Sequence, residues 1–159
     1  MPTIATLCHI ATDGRLLLQM KSLGRFGEGK WKGLGGKPKA DGTPEECARR
    51  EVCEESGLTV KELKERGLLH FYFGDREEID WVVHVFSISD FEGDPKPSEE
   101  GALRWFPFDR IPFEDMWEDD RHWLPLLLRG ETFHGDFFFD EGGRRLVDFM
   151  VRRTGEKGS

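Results

Sequence analysis

Short runs in which apolar and polar residues alternate recur along most of the chain, and this pattern is typical of β-strands with one buried face. The first two runs, residues 3–10 and 15–20, flank the turn Thr12-Asp13-Gly14 and predict a β-hairpin. The same pattern predicts further strands over residues 60–73, 79–87, 103–106, 133–139 and 144–151. The last two flank the glycine-containing turn 140–143 and predict a second hairpin.

Signals for the start and end of a helix enclose residues 44–56. Thr43 is a good N-cap, Pro44 suits the first helical position, and Glu46 completes a capping box. Gly57 is a natural stop at the other end. The boundaries of this helix can therefore be read from the local sequence.

A second helix is predicted over residues 112–129, ended by Gly130 and bent or restarted at Pro125. The glycine-rich segment 21–36 and the segment 91–101 are predicted to be loops. Because strands and helices are interleaved along the chain, we expect an α/β fold. We expect a single domain over residues 1–153 and a frayed tail over residues 154–159.

Composition and charge narrow the function classes. The 31 acidic and 23 basic residues give a formal net charge of −8, which argues against a nucleic-acid polymer as the partner. Cys8, Cys47 and Cys53 are odd in number and poorly spaced for a disulfide, so we expect a reducing, cytoplasmic location. The chain shows neither a signal peptide nor an apolar run of about 18 residues, and we expect neither export nor membrane insertion.

The first predicted helix carries a block of carboxylates. Glu51, Glu54 and Glu55 are spaced i, i+3 and i+4, which places them on neighbouring ridges of the helix. Like charges so close repel, and a hard cation such as Mg²⁺ would neutralise them while keeping ligand positions for substrate phosphates. The alternative is a solvated acidic helix face. The capped register, the preceding glycine loop and Arg50 favour the metal site.

This stretch resembles the signature of the Nudix hydrolases, in which a glycine, a glutamate and the block Arg-Glu-aliphatic-x-Glu-Glu-x-Gly-aliphatic follow at fixed distances. All but one of the fixed positions match, and the matching residues are Gly36, Arg50, Glu51, Val52, Glu54, Glu55, Gly57 and Leu58. The departure is Gly42, which stands where the signature has its first glutamate. In the family that glutamate looks mainly structural, so we expect activity to survive, with Asp41 as a candidate substitute.

The resemblance implies a mixed β-sheet sandwiched between helices and hydrolysis of a nucleoside triphosphate to a monophosphate and pyrophosphate. It implies a metal site for Mg²⁺, with Mn²⁺ as an alternative. Its ligands would be Glu51, Glu54, Glu55, the loop acid Glu100 and the Gly36 carbonyl. One of these glutamates would accept a proton from the attacking water. Arg50 would orient the glutamates through an internal ion pair, and phosphate binding by Arg50 is the alternative.

The chain looks most like the branch of the family that hydrolyses oxidised purine nucleoside triphosphates such as 8-oxo-dGTP. Similar segments include residues 27–37, 84–86, 111–120, 123–128 and 133–135. By similarity, Asp119 and Asp120 would bind the base, Trp117 would stack on it, and Phe26 would line the pocket. The chain departs from that branch at two further pocket positions, Lys32 in place of asparagine and Trp81 in place of methionine.

Two other functions stay open at this stage. The first is a broader Nudix pyrophosphatase that acts on ordinary deoxynucleoside triphosphates or nucleoside diphosphate derivatives. The departures from the branch at Lys32 and Trp81 leave this alternative open. The second alternative is a non-catalytic module that senses a nucleotide. The presence of Arg50, Glu51, Glu54 and Glu55 argues against this alternative. We expect a monomer that acts on small nucleotides to sanitise the nucleotide pool.

Overall fold

A computed structural model of the chain describes residues 1–22, 29–40 and 42–155. The described strands are β1 (Thr3–Thr12), β2 (Arg15–Lys21), β3 (Trp31–Lys32), β4 (Thr59–Phe73), β5 (Trp81–Glu92), β6 (Gly101–Pro107), β7 (Phe133–Phe139) and β8 (Leu146–Arg153). The α-helices are α1 (Pro44–Ser56) and α2 (Asp120–Leu128), and short 3₁₀ turns cover Phe108–Arg110 and Phe113–Asp115.

The strands form one mixed sheet in the order β3-β2-β1-β5-β4-β7-β8, with β6 paired to β2. The β1–β5 and β4–β7 pairs are parallel and the remaining pairs are antiparallel. A parallel pair such as β1–β5 requires a long connection between its two strands, and helix α1 lies in that connection. The expected α/β fold, with a mixed sheet between helices, is confirmed.

The first hairpin opens at one end, and the segment 31–36 fills the gap. Strand β1 pairs with β2 only over the residues next to the turn. Farther along, Gln19 of β2 pairs with Lys32, whereas Cys8 of β1 pairs with Leu34. The segment 31–36 therefore contacts both strands at once.

Each face of the sheet carries an apolar core. The core beneath α1 contains residues of the helix, of β1, β2, β4 and β5, and of two connecting segments, namely Cys8, Ile10, Leu17, Leu34, Ala48, Val52, Leu58, Val60, Phe86 and Ile88. The opposite core lies beneath α2 and includes Leu16, Leu18, Leu69, Val85, Trp123, Leu124, Leu127, Phe133 and Phe137. Burial of these side chains on both faces fixes the two helices on opposite sides of the sheet.

Helix α1 begins and ends as its sequence signals predict. The Thr43 side chain accepts a hydrogen bond from the Glu46 backbone, and the Glu46 side chain accepts one from the Thr43 backbone. Gly57 adopts a left-handed conformation with φ of 79°, and its N–H donates to the Cys53 carbonyl. Within the described ranges, no helix is long and apolar enough to cross a membrane.

The predicted helix over residues 112–129 is wrong in its first half. Its beginning is a 3₁₀ turn followed by extended backbone at Met116, and α2 starts only at Asp120. The intervening residues are held by tertiary contacts, because Met116 is buried in the core and Glu118 accepts a hydrogen bond from the Leu146 N–H. The helix does not restart at Pro125, one of the two alternatives predicted there, since α2 continues through that residue.

Other boundaries differ in smaller ways. Part of the predicted loop 21–36 is strand β3, and β5 extends into the predicted loop 91–101 as far as Glu92. Strand β8 continues to Arg153, and Thr154 of the predicted tail still donates a backbone hydrogen bond to Thr132. Residues 156–159 of that tail lie outside the described part of the chain.

Candidate functional site

The segment Gly35–Gly36 lies between β1 and helix α1, and the backbone at Gly35 requires glycine. A Cβ on Gly35 would lie 2.2 Å from the Thr6 carbonyl oxygen, and its φ of +143° is unfavourable for other residues. A Cβ on Gly36 would lie 2.8 Å from the Glu51 carboxylate carbon. The two glycines thus let the backbone approach the acidic face of α1 closely.

Glu55 is the most deeply buried carboxylate of the helix, with 2% of its surface exposed. Its Oε1 accepts a hydrogen bond from the Gly35 N–H at 3.0 Å. Burial raises the pKa of Glu55 to about 7, and this bond and the positive charges of Lys32 and Lys21 oppose the rise. A cation beside this carboxylate would favour its ionised form.

Arg50 connects the other two glutamates of the helix. Its guanidinium lies 2.9 Å from Glu51 and 3.7 Å from Glu54, and it also donates to the Lys37 carbonyl at 3.1 Å. The contact with Glu51 raises the pKa of Arg50. The described contacts of Arg50 thus include the internal ion pair that the sequence analysis favoured over phosphate binding.

The predicted metal ligands do not all converge. Glu51 and Glu55 face the glycine segment, but 60% of the Glu54 side chain is exposed. Glu100 contacts Lys21 at 3.3 Å. In the part of the chain that the structure describes, no three His, Cys, Asp or Glu side chains are close enough to hold a metal ion.

The residues nevertheless suit a divalent cation. The candidate ligands are carboxylate oxygens, which Mg²⁺ and Mn²⁺ prefer. Because Gly36 has no side chain, the Glu51 carboxylate can lie next to the backbone at this position. The Gly36 carbonyl already accepts hydrogen bonds from the Thr6 N–H at 2.8 Å and the Thr6 hydroxyl at 3.2 Å, so ligation through this oxygen would displace the hydroxyl.

A second acidic cluster lies at the start of α2. Asp119 and Asp120 are only 4% and 6% exposed. Acidic side chains that only interact with a helix dipole can do so from the surface and need no such burial. Asp119 makes no capping hydrogen bond, and its Oδ2 instead accepts the Trp123 Nε1–H at 2.8 Å. Burial raises the pKa of Asp119 to about 6 and that of Asp120 well above its usual value. The positive charge of Lys32 acts against the rise at Asp120.

The aromatic residues predicted for the base pocket carry lysines over their rings. Lys37 Nζ lies 5.4 Å from the centre of the Trp81 ring, and Lys30 Nζ lies 5.2 Å from that of Trp117. Both tryptophans are partly buried. Phe26 and Asp41 lie outside the described residues.

Sequence reasoning missed two residues that support the site. Thr6 holds the Gly36 backbone from β1, and Lys21 lies at the end of β2, where it contacts Glu100. Neither residue belongs to a recognisable motif. Their roles depend on pairings across 30 and 79 residues of sequence, which a single sequence does not reveal.

The buried aspartates should make stability depend on pH. Unfolded aspartate has a pKa of about 3.9, whereas burial raises the pKa of Asp119 to about 6 in the folded chain. As the pH rises between these values, the unfolded state ionises first and the folded state loses relative stability. We therefore expect Asp119→Asn, which can keep the Trp123 hydrogen bond, to gain roughly 5 °C in Tm relative to wild type between pH 4 and pH 7. Thermal unfolding across this range tests it, and a pH-independent difference would contradict it.

Comparison with known proteins adds independent information. A family model described as the NUDIX domain matches residues 1–127. The chain is 47% identical over 137 residues to a Danio rerio protein named "Oxidized purine nucleoside triphosphate hydrolase", and 45% identical over 137 residues to a Mus musculus protein of the same name. Each alignment covers 86% of both chains. The crystal structure of a protein described as "mMutator MutT protein" from Bacillus halodurans matches with a TM-score of 0.83 at 26% identity, over 94% of this chain and 97% of that one.

Proposed function

Because the chain belongs to the Nudix family of hydrolases, we propose that it hydrolyses oxidised purine nucleoside triphosphates such as 8-oxo-dGTP to a nucleoside monophosphate and pyrophosphate. One structural observation carries the proposal. The segment 31–36 connects two clusters of acids. The Gly35 N–H donates to Glu55 on one side. On the other side Gly33 lies against the His9 ring, which packs on Trp123, the hydrogen-bond donor to Asp119. This arrangement can bind the phosphate and base ends of one nucleotide.

Nudix hydrolases generally use a divalent metal ion, and their nucleotide substrates are small molecules. We propose Mg²⁺, with Mn²⁺ as an alternative, held by Glu51, Glu54, Glu55, Glu100 and the Gly36 carbonyl. When bound, the metal would supply positive charge to the phosphates and help a water molecule to lose its proton.

The chain's own residues prepare this chemistry. The Gly35 N–H orients Glu55, and Arg50 holds Glu51 through a 2.9 Å ion pair and lies 3.7 Å from the exposed Glu54. Lys21 balances the charge of Glu100. One glutamate takes the proton of the water that attacks phosphorus, and pyrophosphate leaves. A phosphate leaving group carries much negative charge, so positioning and electrostatic stabilisation supply most of the rate enhancement.

The base is recognised at the other cluster. Asp119 and Asp120 are buried side by side, so one of them can hold a proton while the other is ionised. Such a pair can both donate and accept hydrogen bonds at a purine edge. Trp117 and Trp81 supply aromatic surface, and Phe26 is the further residue proposed for the pocket.

The cellular setting forms part of the proposal. Cys8, Cys47 and Cys53 are free thiols, which suits a reducing cytoplasm. We propose a monomer with one domain over residues 1–153 that removes damaged nucleotides before a polymerase can use them.

The decisive experiment is a measurement of kcat/KM by pyrophosphate release for 8-oxo-dGTP, 2-oxo-dATP and the four ordinary deoxynucleoside triphosphates, with Mg²⁺ and with Mn²⁺. The proposal expects the oxidised purines to be preferred by at least tenfold. Equal rates would instead support a broader pyrophosphatase. Binding without any pyrophosphate release would support a nucleotide-sensing module.

The Gly42 departure from the family signature should have little effect on this activity. A Cβ at Gly42 would lie 3.5 Å from both Glu46 Oε1 and the Lys39 carbonyl oxygen, which are ordinary contacts. We expect Gly42→Ala to keep kcat/KM within about threefold and to stabilise the fold by about 0.5 kcal/mol, because it restricts the unfolded chain. Gly35→Ala is the matched control and should abolish activity, since its Cβ has no space. A loss above tenfold in Gly42→Ala, seen in pyrophosphate release, would contradict this expectation.

A further inference from the structure

The Thr6 hydroxyl contacts both polar groups of the Gly36 backbone. It donates to the Gly36 carbonyl at 3.2 Å and accepts from the Gly36 N–H at 3.3 Å. The Thr6 N–H also donates to that carbonyl, at 2.8 Å. A carbonyl oxygen has two lone pairs, so Thr6 alone supplies a donor for each of them. One residue of β1 therefore controls the oxygen that the proposed function assigns to the metal.

A further partner of this hydroxyl is the Cys47 thiol on helix α1. The Cys47 Sγ lies 3.4 Å from Thr6 Oγ1, and either atom can be the donor. The same sulfur accepts from the Arg50 guanidinium at 4.0 Å, and Arg50 in turn pairs with Glu51. Thr6 is 4% exposed and Cys47 is fully buried. Because both groups are shielded from bulk water, a lost hydrogen bond of the hydroxyl has to be replaced within the protein.

A cation at the Gly36 carbonyl would compete with the Thr6 hydroxyl for one lone pair. The bond from the Thr6 N–H joins two backbone groups and can remain, because it uses the other lone pair. The hydroxyl would lose its acceptor, and a buried donor without an acceptor is unfavourable. The Cys47 sulfur, a weak acceptor, is already within reach of this hydroxyl.

Building on the proposed function, we propose that Thr6 is a positioning residue whose hydroxyl has two hydrogen-bonding states. Without a cation it donates to the Gly36 carbonyl, and with a cation it donates to the Cys47 sulfur. In both states the hydroxyl oxygen accepts the Gly36 N–H, so the glycine backbone keeps its position. Cys47 thereby lowers the free energy that is needed to release the carbonyl for the metal.

Calorimetric titration of the full chain with Mn²⁺, in the absence of nucleotide, tests this role without hydrolysis. We expect Cys47→Ala to weaken Mn²⁺ binding roughly fivefold, because the displaced hydroxyl then has no acceptor. Cys47→Ser keeps an acceptor and should bind within about twofold of wild type. Cys53→Ala is the control, since it removes an exposed thiol from the same helix and should leave the affinity unchanged.

The same substitution in a Thr6→Val background separates the proposed role from simple packing. Valine has no hydroxyl, so Cys47→Ala should change the Mn²⁺ affinity there by less than about twofold. A cavity left by the smaller side chain would instead weaken binding equally in both backgrounds. Equal losses in both backgrounds, or no loss from Cys47→Ala in the wild-type background, would overturn the proposal.

The single Thr6 variants test the competition independently of Cys47. Thr6→Val should bind Mn²⁺ at least as tightly as wild type, because no hydroxyl competes for the carbonyl. Its Gly36 N–H lacks this acceptor with and without the cation, so that loss cancels. Thr6→Ser keeps the hydroxyl and should bind Mn²⁺ like wild type. Weaker binding by a folded Thr6→Val variant would overturn the proposal.

The substrate measurements distinguish this proposal from the proposed function. If Thr6 and Cys47 are coupled in Mn²⁺ binding but oxidised purines are not preferred, the proposed substrate fails and the role of Thr6 stands. If oxidised purines are preferred and the two residues are uncoupled, the role of Thr6 fails and the proposed function stands. An absence of Mn²⁺ binding to wild type would overturn the role of Thr6, while the substrate panel would still decide the proposed function.

Discussion

Replacement of Glu55 by glutamine is expected to lower kcat for pyrophosphate release by roughly 10²–10³-fold, because the metal ligand that we propose at this position would contribute several kcal/mol to transition-state stabilisation. Glu55 is buried against Gly35, whose N–H donates to its Oε1. A glutamine oxygen can accept the same hydrogen bond, so the local structure should survive. The variant loses the negative charge, and the loss of activity would measure the contribution of that charge.

Glu45→Gln is the matched control for this prediction. It makes the same chemical change on the same helix, but Glu45 is exposed in the first turn. We expect its kcat to stay within about twofold of wild type, as surface substitutions rarely disturb a distant site. Mn²⁺ binding measured by calorimetry should weaken in Glu55→Gln and not in Glu45→Gln. Full activity in a folded Glu55→Gln variant would remove Glu55 from the metal site.

The second large effect is expected at the aspartate pair that we propose binds the base. The double variant Asp119→Asn and Asp120→Asn should lower kcat/KM for 8-oxo-dGTP by roughly 100-fold, since hydrogen bonds to charged groups contribute about 1.5–3 kcal/mol each. It should also remove most of the preference over dGTP. The reason is that two amides cannot exchange a proton between them as two carboxyls can. The measurement is the ratio of kcat/KM for the oxidised and ordinary substrates.

Asp109→Asn provides the comparison for the aspartate pair, because Asp109 is exposed in a 3₁₀ turn before α2. Its ratio of the two kcat/KM values should equal that of wild type. If the double variant folded normally and kept the wild-type ratio, Asp119 and Asp120 would have a structural role only. The main role of Asp119 would then be to accept the hydrogen bond from Trp123.

Helix α1 shows why part of this protein could be predicted well. Its capping box and glycine stop depend on hydrogen bonds between residues at most four positions apart. The spacing of Glu51 and Glu55 follows from helical periodicity alone. Local interactions of this range are visible in one sequence, and the structure agrees with them.

Helix α2 shows the limit of the same reasoning. Its apolar pattern extended back to Pro112, but the helix begins at Asp120 because the preceding residues make contacts with other elements. The two-residue strand β3 was missed for a similar reason, since only its pairing with β2 identifies it. A tertiary contact can override local propensity, and nothing in the local pattern marks where this happens.

By itself, the sequence determined the acidic helix, its register and the family whose signature it carries, because these depend on local spacing. Only the tertiary structure decided how the two acidic clusters are connected. The first hairpin opens, and Leu34 pairs with Cys8 while Lys32 pairs with Gln19. The segment 31–36 then contacts Glu55 through Gly35, and through Gly33 it contacts His9, which packs on Trp123 next to Asp119. These pairings join residues that are distant in sequence, and their energy comes from burial and hydrogen bonding across the sheet, which no local pattern encodes.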